Sequence, residues 1–195
     1  MQPLAPEGNF ASLRQPCQPA RTAGHMSKTA AIATSSPTGV RRLELDDEAA
    51  TLRLGEVLAA LARPRDMIAL RGPLGAGKTA LARGFIAALA RRHGMAPPGE
   101  VPSPTFTLVQ IYGLGPVAVW HFDLYRIANP DDAIELGLDE ALAEGISLIE
   151  WPERLGSRLP QDRLDLALAY GATDGARVAT LTGHGSWADR IADVA

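Results

Sequence analysis

The stretch Arg71–Phe85, RGPLGAGKTALARGF, decides how the rest of the chain is read. Gly72, Gly77, Lys78 and Thr79 fill the pattern G-x-x-x-x-G-K-[ST] completely. The short apolar run MIALRG before it fits a buried strand, and the residues after it, through about Arg92, fit a helix. Strand, loop and helix in that order are the setting in which the pattern cradles phosphate. Gly72, Gly75 and Gly77 let backbone N–H groups turn inward with no Cβ in the way. Those amides, with the positive end of the helix dipole, bind an anion. Lys78 is expected to reach the β- and γ-phosphates, and the Thr79 hydroxyl to ligate Mg²⁺. The nucleotide-contact set read from the loop is Gly72, Pro73, Leu74, Gly75, Ala76, Gly77, Lys78, Thr79 and Ala80. Only two of the 19 basic residues are lysine, so a lysine at position 78 suits a site that needs a compact ammonium rather than a planar fork.

Such a cradle also needs a carboxylate at the end of a neighbouring strand, to hold the metal or its water. Two runs compete for that place: VAVWHFD ends at Asp123 and SLIE ends at Glu150. Two acids permit a division of labour, one on Mg²⁺ and one on the attacking water, and spacing leaves their assignment open. No N-K-x-D guanine signature is present, which favours ATP over GTP. Trp151 follows Glu150 directly, and an indole there can stack on a purine; core packing is its other reading. His121, between Trp120 and Phe122, reads as a core or edge histidine rather than a catalyst, and His25, His93 and His184 show no metal spacing.

Outward from the loop, VRRLEL (from Val40) reads as a short strand and DDEAATLRLGEVLAALA as an amphipathic helix ending before Pro64. Three acids open that helix, and Ala50, Leu54, Val57, Leu58 and Leu61 recur at helical spacing. Arg91, Arg92 and His93 followed by Gly94 form a helix stop. MAPPGEVPSP is a loop, and TFTLVQIYG and PVAVWHFDLYRI are β-rich runs expected to lie antiparallel about GLGP. NPDDAIELGLDEALAEG carries short helices, and ISLIEW is a compact apolar run. RLDLALAYG, with Leu164, Leu166, Leu168 and Tyr170 on one face, turns at ATDG into ARVATLTG as a hairpin. Ser186 and Asp189 read as a capping box for a last short helix.

Composition bounds the partners. The 195 residues are 46% hydrophobic and 21% charged, enough to bury an ordinary core. A net charge of −3 argues against the broad basic surface of a nucleic-acid grip, so any link to RNA is expected to be indirect. The single cysteine, Cys17, has no partner for an intrachain disulfide, and a reducing cytoplasm is the default. No apolar run approaches the roughly 18 residues of a membrane span. Residues 1–40, rich in Pro, Ala, Ser, Thr and Gly, are expected to be a disordered extension, and residues 41–195 a single P-loop ATPase domain. Met26 offers an alternative start to the chain, and a transit peptide is the other reading of this segment.

With these residues placed, the order of motifs resembles the TsaE family, also called YjeE, the small P-loop ATPases of the bacterial machinery that makes threonylcarbamoyladenosine in tRNA. The matching stretches are GPLGAGKTALARGF, VPSPTFTLVQIY, HFDLYRI and LIEWPERL, with LP before the final hairpin, together covering roughly residues 42–183. The resemblance implies that Thr79 and Glu150 hold Mg²⁺ and that Asp123 acts on the water near the γ-phosphate. It implies that Thr105, in the switch-like SPTF, senses that phosphate, so that Asp123, Lys78 and Thr105 form the catalytic set. It places Trp151 by the adenine and makes Thr51 and Arg177 further nucleotide contacts. It implies an α/β fold, a three-layer P-loop NTPase-type sandwich whose mixed sheet has a parallel core and antiparallel additions; the strand reading above agrees. It also implies ATP and Mg²⁺ as cofactors and TsaD and TsaB as partners, with hydrolysis resetting their complex. Pro73 stands where family members often carry Asp, which leaves the cradle pattern intact. A small-molecule kinase and a nucleotide-gated binding module with little turnover are the alternatives. No Arg-rich lid segment supports the first, and the second has no use for Asp123.

Overall fold

The computed structural model describes residues 39–194. The extension expected over residues 1–40, with its alternative start at Met26 and its transit-peptide reading, lies outside the described residues up to position 38. Val40 already belongs to the first strand.

Seven strands form one sheet: β1 (Val40–Leu45), β2 (Met67–Arg71), β3 (Val109–Leu114), β4 (Val117–Asp123), β5 (Ile146–Glu150), β6 (Arg163–Tyr170) and β7 (Arg177–His184). Their order is β1-β7-β6-β2-β5-β4-β3. The central four, β6-β2-β5-β4, run parallel, and β7, β1 and β3 add antiparallel strands at the two sides. β2 and β5 read MIALR and ISLIE and are buried almost throughout, as strands covered on both faces must be. One face carries α1 (Glu48–Leu61) and α2 (Lys78–Arg92), with Leu58, Leu81, Phe85 and Ile86 packed on Ile68, Leu70 and Leu148. The other carries α3 (Asp132–Glu135), α4 (Leu138–Glu144) and a 3₁₀ segment, Pro152–Arg158, over Met67, Phe122 and Ile149. This is the three-layer mixed sandwich expected.

Two close contacts bring α1 onto the loop. A Cβ on Gly55 would stand 2.3 Å from the Leu81 carbonyl oxygen, and one on Gly84 would stand 2.2 Å from that of Leu52. The glycines let the two helix backbones touch, and Thr51 on α1 then reaches the start of α2, with its methyl group close to Gly77.

Several local expectations are corrected. TFTL is not strand: residues 104–107 form turns and Leu108 a bend, with φ 65° and its N–H bonding back to the Pro104 carbonyl at 2.6 Å. Thr105 and Ser103 hydroxyls bind the Asp123 carboxylate, which offers this segment an alternative to a ladder. LYRI also leaves the sheet, because Asp123 Oδ1 accepts the Tyr125 N–H at 3.1 Å and turns the chain as β4 ends. Tyr170 does not share the burial of Leu164, Leu166 and Leu168; it is 58% exposed, and its hydroxyl donates to the Leu74 carbonyl. The Ser186 capping box does not form. Ser186 Oγ donates instead to Asp162 Oδ1 at 3.0 Å and accepts from Arg190 Nη2 at 2.9 Å.

That last bond belongs to a buried lock. α5 (Trp187–Arg190) presents Arg190, which forks onto Asp66 at 2.6 and 2.8 Å, donates to the Leu61 carbonyl and lies 3.9 Å from the Trp187 ring centre. Both side chains of the pair are 9% exposed, so removing one partner strands a charge away from water. Asp66→Ala is expected to destabilise the fold by about 3–5 kcal/mol. Urea denaturation of the purified variant checks this, and a loss under about 1 kcal/mol would show the pair to act like an exposed one. No helix among the described residues is long and apolar enough to cross a membrane.

Candidate functional site: a phosphate cradle facing two acids

The loop between β2 and α2 is built on backbone that only glycine enters easily. Gly72 has φ 134°, and a Cβ there would meet the Leu168 carbonyl at 2.3 Å. Gly77, at φ 101°, is the N-cap of α2, so the free N–H groups of the first helical turn open into the loop. A cleft of about 300 Å³ lies over this turn.

Lys78 heads α2 and is only 4% exposed. Its Nζ donates to the Gly72 and Pro73 carbonyls at 2.8 and 2.9 Å and stands 4.2 Å from the centre of the Trp151 ring. Burial pushes this ammonium below the ordinary lysine value, against the opposing pull of Glu150, Asp123 and Glu153. A desolvated cation between anions and an amide nest is suited to exchange its carbonyl partners for phosphate oxygens.

Parallel pairing of β4 with β5 sets Asp123 beside Glu150 in register, at the strand ends that face the loop. The two acids have different partners. Glu150 Oε1 accepts the Thr79 hydroxyl at 2.8 Å and lies 3.0 Å from His121 Nε2. Asp123 Oδ2 accepts the Thr105 hydroxyl at 2.7 Å and, more weakly, that of Ser103 at 3.4 Å. Thr79 donates a hydrogen bond to the carboxylate and keeps its lone pairs, so hydroxyl and carboxylate oxygens converge at one point of the cleft. This hard, oxygen-only donor set fits Mg²⁺.

The cleft is lined by Thr51, Leu74, Gly75, Ala76, Gly77, Lys78, Thr79, Ala80, Thr105, Asp123, Glu150, Trp151 and Arg177. Gly72 and Pro73 stand behind it, holding the Lys78 ammonium through their carbonyls. Arg177 donates to the Ala76 and Gly75 carbonyls at 3.1 and 3.2 Å, bracing the loop from β7. Trp151 takes φ 58°, a conformation costly for a bulky residue and held by its surroundings. Its indole, expected beside the adenine, lies against the Lys78 ammonium and Tyr125, whose ring centre is 4.9 Å away. Sequence reasoning missed Ser103, Glu48 and Arg83 in the lining and His121 beneath Glu150. The only signal for His121 was its place two residues before Asp123 on one strand face.

Comparison with known proteins shows the family and the fold. The family described as "Threonylcarbamoyl adenosine biosynthesis protein TsaE" matches residues 45–178. A Bacillus subtilis protein, "tRNA threonylcarbamoyladenosine biosynthesis protein TsaE", is 36% identical over 137 residues, 70% of this chain and 81% of its own length. A Rickettsia felis protein of the same description is 40% identical over 57% of this chain; the aligned region spans 62% of that relative. The crystal structure of Bacillus subtilis YdiB superposes with a TM-score of 0.62 at 31% identity, covering 77% of this chain and 90% of YdiB. With the family model matching most of the described chain and relatives of 36–40% identity beside it, the chain belongs to the TsaE family of threonylcarbamoyl adenosine biosynthesis proteins.

Proposed function

We propose that the protein is an Mg²⁺-dependent ATPase that serves tRNA threonylcarbamoyladenosine synthesis in the cytoplasm, in a complex with TsaD and TsaB. The observation that carries the reading is the meeting of the Thr79 hydroxyl with Glu150 at 2.8 Å at the mouth of the glycine cradle, with Asp123 in register beside it. The loop amides and Lys78 bind the β- and γ-phosphates of ATP. Thr79 and Glu150 hold Mg²⁺, which when bound neutralises charge on the phosphate oxygens. Asp123 aims a water molecule at the γ-phosphorus and accepts its proton, while Trp151, Thr51 and Arg177 border the nucleotide. The net charge of −3 suits a protein-facing role in which tRNA is touched indirectly.

The Thr105 hydroxyl donates to Asp123 Oδ2, tying the switch-like segment to the carboxylate that aims the water. Phe106, next in the chain, is 87% exposed and offers a partner a handle on this segment. Phosphate release from ATP is measured with Mg²⁺, with chelator, and across a concentration series of TsaD and TsaB. Release that requires Mg²⁺ and rises with the partners is expected. Indifference to both, or transfer of phosphate to a metabolite, rejects the reading.

A further inference from the structure

His121 lies two residues before Asp123 on β4, paired with Leu148 of the α2-facing core. It is fully buried, and its Nε2 is 3.0 Å from Glu150 Oε1. A carboxylate only accepts, so Nε2 carries the hydrogen and donates it. The Thr79 hydroxyl donates to the same oxygen, from α2 rather than β4. Oε1 is thus held by two elements at once, whereas Oε2 takes no hydrogen bond among the described residues although Glu150 lines the cleft. The other ring nitrogen of His121, Nδ1, is buried without a partner among the described residues. An apolar side chain would fill this space without stranding a polar atom, so packing alone does not account for an imidazole at this position.

We infer that His121 is a positioning residue for the metal site: its Nε2–H pins Glu150 Oε1 against Thr79 and so turns Oε2 into the cleft, toward a divalent cation. The inference rests on the reading of Thr79 and Glu150 as the metal-holding pair. It concerns geometry at Glu150 and leaves phosphate binding to the loop amides and Lys78.

Glutamine can place its amide N–H near the position of Nε2, whereas asparagine ends near Nδ1 and falls short of Glu150. The experiment therefore compares the full chain with His121→Gln and His121→Asn. Calorimetry with a non-hydrolysable ATP analogue, in Mg²⁺ and in chelator, yields two affinities whose ratio is the metal's contribution. His121→Asn is expected to shrink that ratio about tenfold, the usual effect of losing an outer partner of a metal ligand, and to leave the chelator affinity within about twofold. His121→Gln is expected to restore most of the ratio. An unchanged ratio in His121→Asn, or equal losses in both variants, would overturn the positioning role while the metal reading stood. A wild-type chain whose affinity ignores Mg²⁺ would overturn both. Should the variants not fold, ¹⁵N shifts of the wild-type imidazole decide the matter: hydrogen on Nε2 supports the inference, and hydrogen on Nδ1 alone refutes it.

Discussion

Lys78→Ala is expected to weaken ATP binding by about thirtyfold to a few thousandfold, since truncating a buried, charge-paired partner typically costs about 2–5 kcal/mol. The site makes this the severest loss of affinity available from one side chain. Lys78 is the cation buried inside the cradle, held by two carbonyls that cannot themselves bind phosphate. Without it, the metal alone would offset Glu150 and Asp123 against the incoming triphosphate. Titration calorimetry of the folded variant with Mg²⁺ and ATP is the measurement. Affinity within about threefold of wild type would mean that the amide nest alone holds the nucleotide and that the ammonium contributes little to binding.

Asp123→Asn is expected to divide the other way, sparing binding and slowing hydrolysis by about 10²- to 10⁴-fold, the range that general-base catalysis contributes. The substitution suits the local bonding. Asparagine Oδ1 can keep the Tyr125 N–H, and the Thr105 hydroxyl, a donor to Asp123 now, can rotate to accept from the new amide. The fold and the cradle should therefore survive while proton acceptance is lost. Single-turnover phosphate release beside nucleotide affinity separates the two effects. Equal turnover would remove Asp123 from the chemistry and favour a binding module in which hydrolysis is incidental. A parallel fall in affinity would instead show that Asp123 belongs to the phosphate or metal contacts.

Much of this site is legible in the sequence, for a local reason. The residues from Gly72 to Thr79 are contiguous, and a strand, a glycine turn and a helix start fix where their amides point. The two acids were also visible, each at the end of an apolar run. Their partners were not. Thr105 meets Asp123 across 18 positions, and His121 meets Glu150 across 29. The switch-like segment read as strand because TFTL has β-forming residues, yet its hydroxyls satisfy Asp123 instead of the ladder. The capping box at Ser186 fails similarly, since its hydroxyl donates to Asp162 and accepts from Arg190 instead of capping the helix.

The phosphate cradle, the amphipathic helices around it and the apolar strands that carry the acids are all readable from local sequence, because each depends on side-chain period and backbone freedom within a few residues. The packed fold was needed to show that His121 lies beneath Glu150 and that Arg190 closes on Asp66 across 124 positions. Those pairings follow from strand order and from which buried polar groups remain to be satisfied, and both are properties of the whole packed sheet.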